Sequence, residues 1–166
     1  QGGFVSGSHR KILLKNVNEL ISCARKNDVP VIFVLDKHER MDDKEFIRTR
    51  PHAIKASKTK LVNGINFNPN SDVVVYKTRY SAFFKTKLES ILRKLNVNTL
   101  LLLGVQTHVC VLQTGIDAFY RGYRVIVVRD CVSSARLNYH RLGLKYMENY
   151  VGETTSLLGA KVILEN

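Results

Sequence analysis

The chain has 166 residues, a formal net charge of +12 at pH 7 and only three cysteines. This length suffices for one compact domain with a hydrophobic core, and the chain holds no apolar stretch long enough to cross a membrane. The cysteines are too few and too irregularly spaced for a disulfide framework or a cysteine zinc site, which favours a reducing, cytoplasmic setting.

The positive charge raises the question of nucleic-acid binding. The 26 lysines and arginines are scattered along the chain, and no RNA-binding aromatic signature or zinc finger accompanies them. We therefore interpret the charge as a basic solvated surface and predict neither a nucleic-acid nor a membrane partner. A non-catalytic binding module stays an alternative, and oligonucleotide binding that weakens steeply with salt would be its signature.

Helical and strand patterns alternate along the first half of the chain. Apolar residues from Leu13 to Ala24 recur on one face, which predicts a helix that starts near Ser8 and ends at Asn27. Two apolar runs then predict buried strands, with a long polar excursion between them: strands over 30–35 and 73–76, and the excursion over 36–72.

The second half continues the alternation. Helices are predicted from Ser81 onward, over 108–121 and over 138–149, and strands over 99–103, 124–128 and 161–164. Continuous apolar strands that alternate with helices indicate a parallel sheet covered on both faces. We predict a single three-layer, doubly wound α/β domain over residues 1–166.

Reactive side chains follow three of the predicted strands. Asp36, Lys37 and His38 come after the first, Lys77 after the second, and Cys110 after the third. Because ligands of doubly wound sheets bind beyond the carboxyl ends of the strands, these side chains predict an active site at that edge.

Cys110 falls in the first turn of its predicted helix. The helix dipole and the free N–H groups there favour a thiolate, and a neighbouring lysine would favour it further. A buried structural cysteine fits the same pattern, so both interpretations stay open at this point. We interpret Cys23 and Cys131 as structural.

Three stretches resemble the isochorismatase-like cysteine hydrolases. Residues 104–111, Gly-Val-Gln-Thr-His-Val-Cys-Val, resemble the cysteine signature of that family, and residues 77–83 resemble its lysine motif. Residues 1–5 resemble the end of its first-strand motif, an Asp-x-Gln followed by Phe. The resemblance covers essentially the whole chain and implies a six-stranded parallel sheet with helices on both faces.

The resemblance also implies an amide-hydrolysing site. Cys110 would be the nucleophile, and Lys77 would stabilise the thiolate and the charge of the intermediate. The Val105–Gln106 bond would be cis, and the N–H groups of Gln106 and Cys110 would form the oxyanion hole. We interpret His9, His108 and His140 as structural or solvated residues.

The general base of the family is an aspartate two positions before the glutamine that matches Gln1. Neither this aspartate nor the first strand is in the sequence. Because that strand is central in such sheets, we expect the domain to be incomplete at its N-terminus. The working protein is expected to carry a preceding strand that ends in Asp-x-Gln1.

A metal site is also implied by similarity to nicotinamidases. Asp36 and His38 resemble their Asp-x-His ligands, and His52 resembles the third ligand. One carboxylate and two imidazoles suit a single divalent ion, zinc first. Alternatively, His38 is a loop histidine and His52 forms a hydrogen bond within the excursion.

The sequence therefore predicts a cysteine-dependent hydrolase of the C–N bond of a small amide, nicotinamide first, without an organic cofactor. Vinyl ether hydrolysis of the isochorismatase type is the alternative, and it needs no thioester. The resemblance further implies a homo-oligomer, either a dimer or a tetramer.

Overall fold

The structure is a computed structural model, and it describes residues 7–38, 44 and 60–166. In chain order its elements are α1 (Gly7–Lys26), β1 (Ile32–Asp36), β2 (Val73–Lys77), α2 (Leu88–Lys94), β3 (Thr99–Val105), a π-helical turn (Thr107–Val111), α3 (Leu112–Tyr120), β4 (Arg124–Ser133), α4 (Leu137–Tyr150), β5 (Glu153–Thr155) and α5 (Leu157–Glu165). No helix within the described ranges is both long and apolar enough to span a bilayer.

Every strand pairing among the described residues is parallel. β1 pairs with β2, so that Asp36 lies beside Lys77, and β3, β4 and β5 pair in that order. No strand in the described part of the chain pairs with both groups. The predicted N-terminal strand, and with it the N-terminal incompleteness of the domain, stays a prediction.

Helices cover both faces of β4, the most buried strand. Val127 packs in one buried cluster with Met147 of α4, whereas Val128 packs in another with Leu20 of α1 and Ala160 of α5. This alternation follows from the two-residue period of a strand, whose successive side chains point to opposite faces. The predicted three-layer, doubly wound α/β architecture is confirmed.

Four of the five predicted strands are confirmed, with ends that shift by a few residues, but the strand over 161–164 is wrong. Those residues belong to α5, and the fifth strand is β5. The apolar side chains of Leu157, Ala160 and Leu164 face one buried cluster, which is the spacing of a helix face. The side chain of Ser156 caps that helix by accepting the Gly159 N–H at 3.1 Å.

The helix predicted from Ser81 starts later than expected, at Leu88. Residues 81–87 form turns, in which the Ser81 hydroxyl accepts the Phe83 N–H and Lys85 has a positive φ of 53°. A residue with left-handed backbone angles cannot continue an α-helix. The apolar side chains of this segment are therefore carried by a loop and not by a helix.

A buried ion pair ties α1 to the start of β2. Arg25 Nη2 donates to Asp72 Oδ2 at 2.5 Å, and the side chain of Asp72 is only 1% exposed. The Asn68 N–H donates to the same carboxylate oxygen at 2.7 Å. Burial raises the pKa of Asp72, but the hydrogen bonds from Arg25 and Asn68 outweigh it and hold this pKa below its ordinary value.

Candidate active site

Lys77 and Cys110 meet at the carboxyl edge of the strands. Lys77 is the last residue of β2, is only 6% exposed, and places its Nζ 3.7 Å from Cys110 Sγ. The same Nζ donates to the Arg79 carbonyl at 2.9 Å and to the carboxylate of Asp36. The structure thus brings together two side chains that are 33 positions apart in the sequence.

Cys110 lies in the π-helical turn Thr107–Val111, called the cysteine turn below. The helix predicted over 108–121 is therefore divided, because α3 begins only at Leu112. The N–H groups of Val109 and Val111 donate to the Gln106 carbonyl at 3.1 and 3.2 Å. The wider turn keeps Cys110 half-buried at the sheet edge, next to Lys77.

The residues before the cysteine turn have the backbone that the resemblance implies. The Val105–Gln106 peptide bond is cis. The side chain of Gln106 accepts the Ala135 N–H at 2.9 Å, which fixes that side chain against the segment after β4. The use of the Gln106 and Cys110 N–H groups as an oxyanion hole stays a prediction.

The predicted metal ligands are only partly assembled. The Asp36 carboxylate forms an ion pair with Lys77, His38 is fully buried just after β1, and His52 lies outside the described residues. Over residues 7–38, 44 and 60–166, no three His, Cys, Asp or Glu side chains group as metal ligands. Within the described residues, Asp36 and His38 do not by themselves make up a metal site, and metal binding stays a prediction.

The sequence did not predict the contacts that the cysteine turn makes with α4 and with the residues just before it. Thr107 Oγ1 and His140 Nδ1 share a hydrogen bond of 2.9 Å, and His108 Nδ1 and Ser134 Oγ share one of 3.0 Å. The rings of His108 and Tyr139 stack with their centroids 4.9 Å apart. No local motif marks these pairs, because 26 to 33 positions separate their members.

Burial lowers the pKa of both histidines below the ordinary value of 6.5. Repulsion from Arg141 adds to the lowering for His140. Both rings are therefore neutral at pH 7, and each keeps one nitrogen as a hydrogen-bond acceptor. The interpretation of His108 and His140 as structural residues agrees with these contacts. The sequence did not predict that both residues support the cysteine turn.

Cys131 is unsuited to nucleophilic chemistry. It is fully buried in β4, and burial together with the nearby Asp130 and Glu19 raises its pKa to about 12. A thiol in such surroundings stays protonated at neutral pH and is inert. Cys131 is structural, as the sequence analysis predicted.

Comparisons with known proteins agree with this fold and site. The Isochorismatase domain model matches residues 1–157. A protein of Arabidopsis thaliana named "Probable inactive nicotinamidase" is 33% identical over 157 residues, which cover 89% of this chain and 80% of that protein.

Solved structures show the same fold. A pyrazinamidase/nicotinamidase of Streptococcus mutans UA159 is 30% identical with a TM-score of 0.80, and the match covers 87% of this chain and 86% of that one. The N-carbamoylsarcosine amidase of Thermoplasma acidophilum is 30% identical with a TM-score of 0.79, over 91% and 85% of the two chains. The chain therefore belongs to the isochorismatase family of hydrolases.

Proposed function

We propose that the chain is a cysteine-dependent hydrolase of a small carboxamide that works through a thioester. The observation that supports this proposal most directly is the 3.7 Å distance between Lys77 Nζ and Cys110 Sγ at the sheet edge. A buried ammonium beside a thiol stabilises the thiolate, which is the nucleophilic form of cysteine. A structural cysteine has no need of such a neighbour.

The reaction has two stages. The Cys110 thiolate attacks the amide carbon, a C–S bond forms, and the carbonyl π electrons move onto oxygen, where the N–H groups of Gln106 and Cys110 are the proposed donors. The intermediate then collapses to the thioester: the C–N bond breaks, and the nitrogen leaves as ammonia with the proton that the Cys110 thiol gave up on forming the thiolate. Water attacks the thioester carbon and releases the carboxylic acid and the cysteine.

The charge of Lys77 serves both stages. Negative charge resides on sulfur before attack and on oxygen in each tetrahedral intermediate, and the same ammonium attracts both.

The general base stays a prediction: it is the aspartate that the resemblance implies two positions before Gln1. A homo-oligomer and a cytoplasmic location also stay predictions, and light scattering of the purified protein tests the first.

Nicotinamide is the leading candidate substrate. The name of the Streptococcus mutans protein supports it, whereas the name of the Thermoplasma acidophilum protein supports a carbamoyl compound. The Arabidopsis thaliana relative carries the name "Probable inactive nicotinamidase", so nicotinamide alone is too narrow a test. We therefore propose the class, a small primary carboxamide or carbamoyl group, and nicotinamide as its first member.

Ammonia release by the full-length protein tests this function. The panel contains nicotinamide, pyrazinamide and N-carbamoylsarcosine, with Cys110→Ala as the test variant and Cys23→Ala as the matched control. We expect turnover of at least one amide, its loss in Cys110→Ala and its retention in Cys23→Ala. Failure to release ammonia from any amide would end the proposal.

A second measurement separates this function from vinyl ether hydrolysis. Acid quenching during turnover, followed by peptide mass spectrometry, should find the acyl group of the substrate on Cys110. Ether hydrolysis forms no thioester, and so turnover of a vinyl ether without an acyl adduct would favour the alternative.

A further inference from the structure

We propose that helix α4 positions the cysteine turn for reaction, with His140 and Gly143 as the positioning residues. This inference rests on the proposed role of Cys110 as the nucleophile. In this arrangement α4 helps to set the distance between Cys110 Sγ and Lys77 Nζ.

The first contact fixes Thr107, the residue that opens the cysteine turn. Thr107 is fully buried, and its hydroxyl shares the 2.9 Å hydrogen bond with His140 Nδ1. Its carbonyl accepts the N–H of Leu112, one π-helical turn later. Cys110 lies within the ring that this backbone bond closes, so a shift of Thr107 moves the segment that carries the sulfur.

The second contact brings the backbone of α4 against the cysteine turn. A Cβ atom added at Gly143 would lie 2.8 Å from His108 Cα and 3.0 Å from His108 N. Real Cβ atoms essentially never come within 3.0 Å of another heavy atom, and the backbone at His108 cannot move aside as the end of a flexible side chain can. Glycine inside a helix is otherwise unfavourable, and here the close approach explains it.

Further contacts extend the same support to neighbouring residues. Ser134 holds His108 by a hydrogen bond, Tyr139 stacks on the His108 ring, and the Ala135 N–H holds the Gln106 side chain. Residues 106, 107 and 108 are therefore all held by the segment 134–143. Lys77, by contrast, is supported by β1 and β2.

The separation of Lys77 from Cys110 thus depends on two different parts of the fold. A nucleophile misplaced by about 1 Å can lose on the order of a hundredfold in rate, and a partial loss of support should cost about tenfold. Because α4 acts on the sulfur and not on the bound amide, we expect kcat to fall and KM to stay within about twofold.

The test uses matched pairs of variants in the full-length protein. Thr107→Val removes the hydroxyl at constant shape, and Thr107→Ser keeps it. His140→Gln reaches the place of Nε2 and loses the contact made by Nδ1, whereas His140→Asn keeps a polar atom near Nδ1. Gly143→Ala tests the backbone contact, and Lys145→Ala, an exposed change on α4, is the control.

Two measurements are made on each variant: kcat and KM for the amide that the parent hydrolyses, and the rate at which iodoacetamide alkylates Cys110, followed by peptide mass spectrometry. Alkylation of Cys23 in the same sample is the internal reference. The alkylation rate requires no substrate and reports directly on the thiolate, which a purely structural role of α4 in a folded variant would leave unchanged.

We expect Thr107→Val, His140→Gln and Gly143→Ala to lower both kcat and Cys110 alkylation by about tenfold, and Thr107→Ser and His140→Asn to recover most of the loss. If a folded His140→Gln variant had the same kcat and the same Cys110 alkylation rate as the parent, the inference would be overturned. If Thr107→Val fails to fold, the polar pair at half-buried His140 decides the matter.

Failure of the proposed function has a different signature. In that case iodoacetamide alkylates Cys110 of the parent protein no faster than Cys23. The Cys110→Ala variant also keeps the amide-hydrolysing activity, whatever the results for the α4 variants. If the parent reacts quickly at Cys110 and the variants do too, only the positioning role is lost.

Discussion

Lys77 Nζ and Cys110 Sγ lie 3.7 Å apart, although β2 carries one and the turn after β3 carries the other. The β1–β2 register pairs Asp36 with Lys77, and the Asp36 carboxylate forms an ion pair with the same ammonium. Lys77 is therefore held between a carboxylate and a thiol with almost no exposure to water. Such surroundings strengthen charge–charge interactions, because little solvent screens them.

Replacing Lys77 by methionine should make Cys110 much less reactive. Methionine keeps the apolar stem and removes the charge, so we expect Cys110 alkylation at pH 7 and amide hydrolysis to fall by on the order of a hundredfold. Lys94→Met, which changes an exposed lysine of α2, should leave both rates unchanged. Stopped-flow alkylation and far-UV circular dichroism measure reactivity and folding in parallel. A folded Lys77→Met protein with the reactivity of the parent would refute the role of Lys77.

A zinc titration tests the predicted metal ligands Asp36, His38 and His52. Because the ion pair with Lys77 competes for the carboxylate of Asp36, we expect Lys77→Met to bind Zn²⁺ more tightly than the parent, by about tenfold. His52→Ala should lose this binding, and His9→Ala, on the exposed start of α1, should keep it. Isothermal titration calorimetry gives the affinities without any need for activity. Absence of zinc binding in the parent and in Lys77→Met alike would show that the predicted ligand set is wrong.

The strand ends explain why much of the site was predictable. A buried parallel strand has a local apolar signature, and the residue that follows it must emerge at the carboxyl edge. Asp36, Lys77 and Cys110 could be assigned to one edge on this basis alone. The resemblance then favoured a nucleophile over a structural cysteine at Cys110, a choice that the apolar pattern had left open.

Contacts between distant segments were not predictable in the same way. Thr107 and His140 are 33 positions apart, and neither belongs to a local motif that marks a partner. Nothing in the sequence sets Gly143 apart within its predicted helix, because only the packed structure shows how near His108 lies. The misassigned strand over 161–164 has a related cause: a short apolar run fits a strand or one face of a helix until its packing is known.

Acidification should weaken the fold through His108 and His140. Their pKa values are lowered in the folded protein, so the unfolded chain binds more protons below the ordinary value of 6.5. The stabilisation is therefore complete above pH 6.5 and is lost as the pH falls from there toward the lowered folded pKa values. Urea unfolding at pH 7.5 and 5.0 measures this loss.

The variant His140→Asn supplies the comparison for this pH dependence. Asparagine does not titrate, so the decrease in unfolding free energy between pH 7.5 and 5.0 should be smaller than in the parent. His9→Asn, an exposed change on α1, should behave as the parent does. An equal decrease in His140→Asn and the parent would show that His140 does not contribute to the pH dependence.

The Arg25–Asp72 pair should contribute measurably to stability, unlike the ion pairs on the surface. Asp72→Asn keeps the shape but removes the charge that faces the partly buried Arg25, so we expect a loss of about 1–3 kcal/mol in unfolding free energy. Because the pKa of Asp72 is lowered in the folded state, this stabilisation is present above the ordinary value of 3.8 and is lost as the pH falls through the folded pKa. Glu153→Gln breaks an exposed pair with Arg124, in which both side chains are more than half exposed, and it should change the urea midpoint little. If the two variants shifted the midpoint equally, burial of Asp72 would not be what makes its ion pair matter.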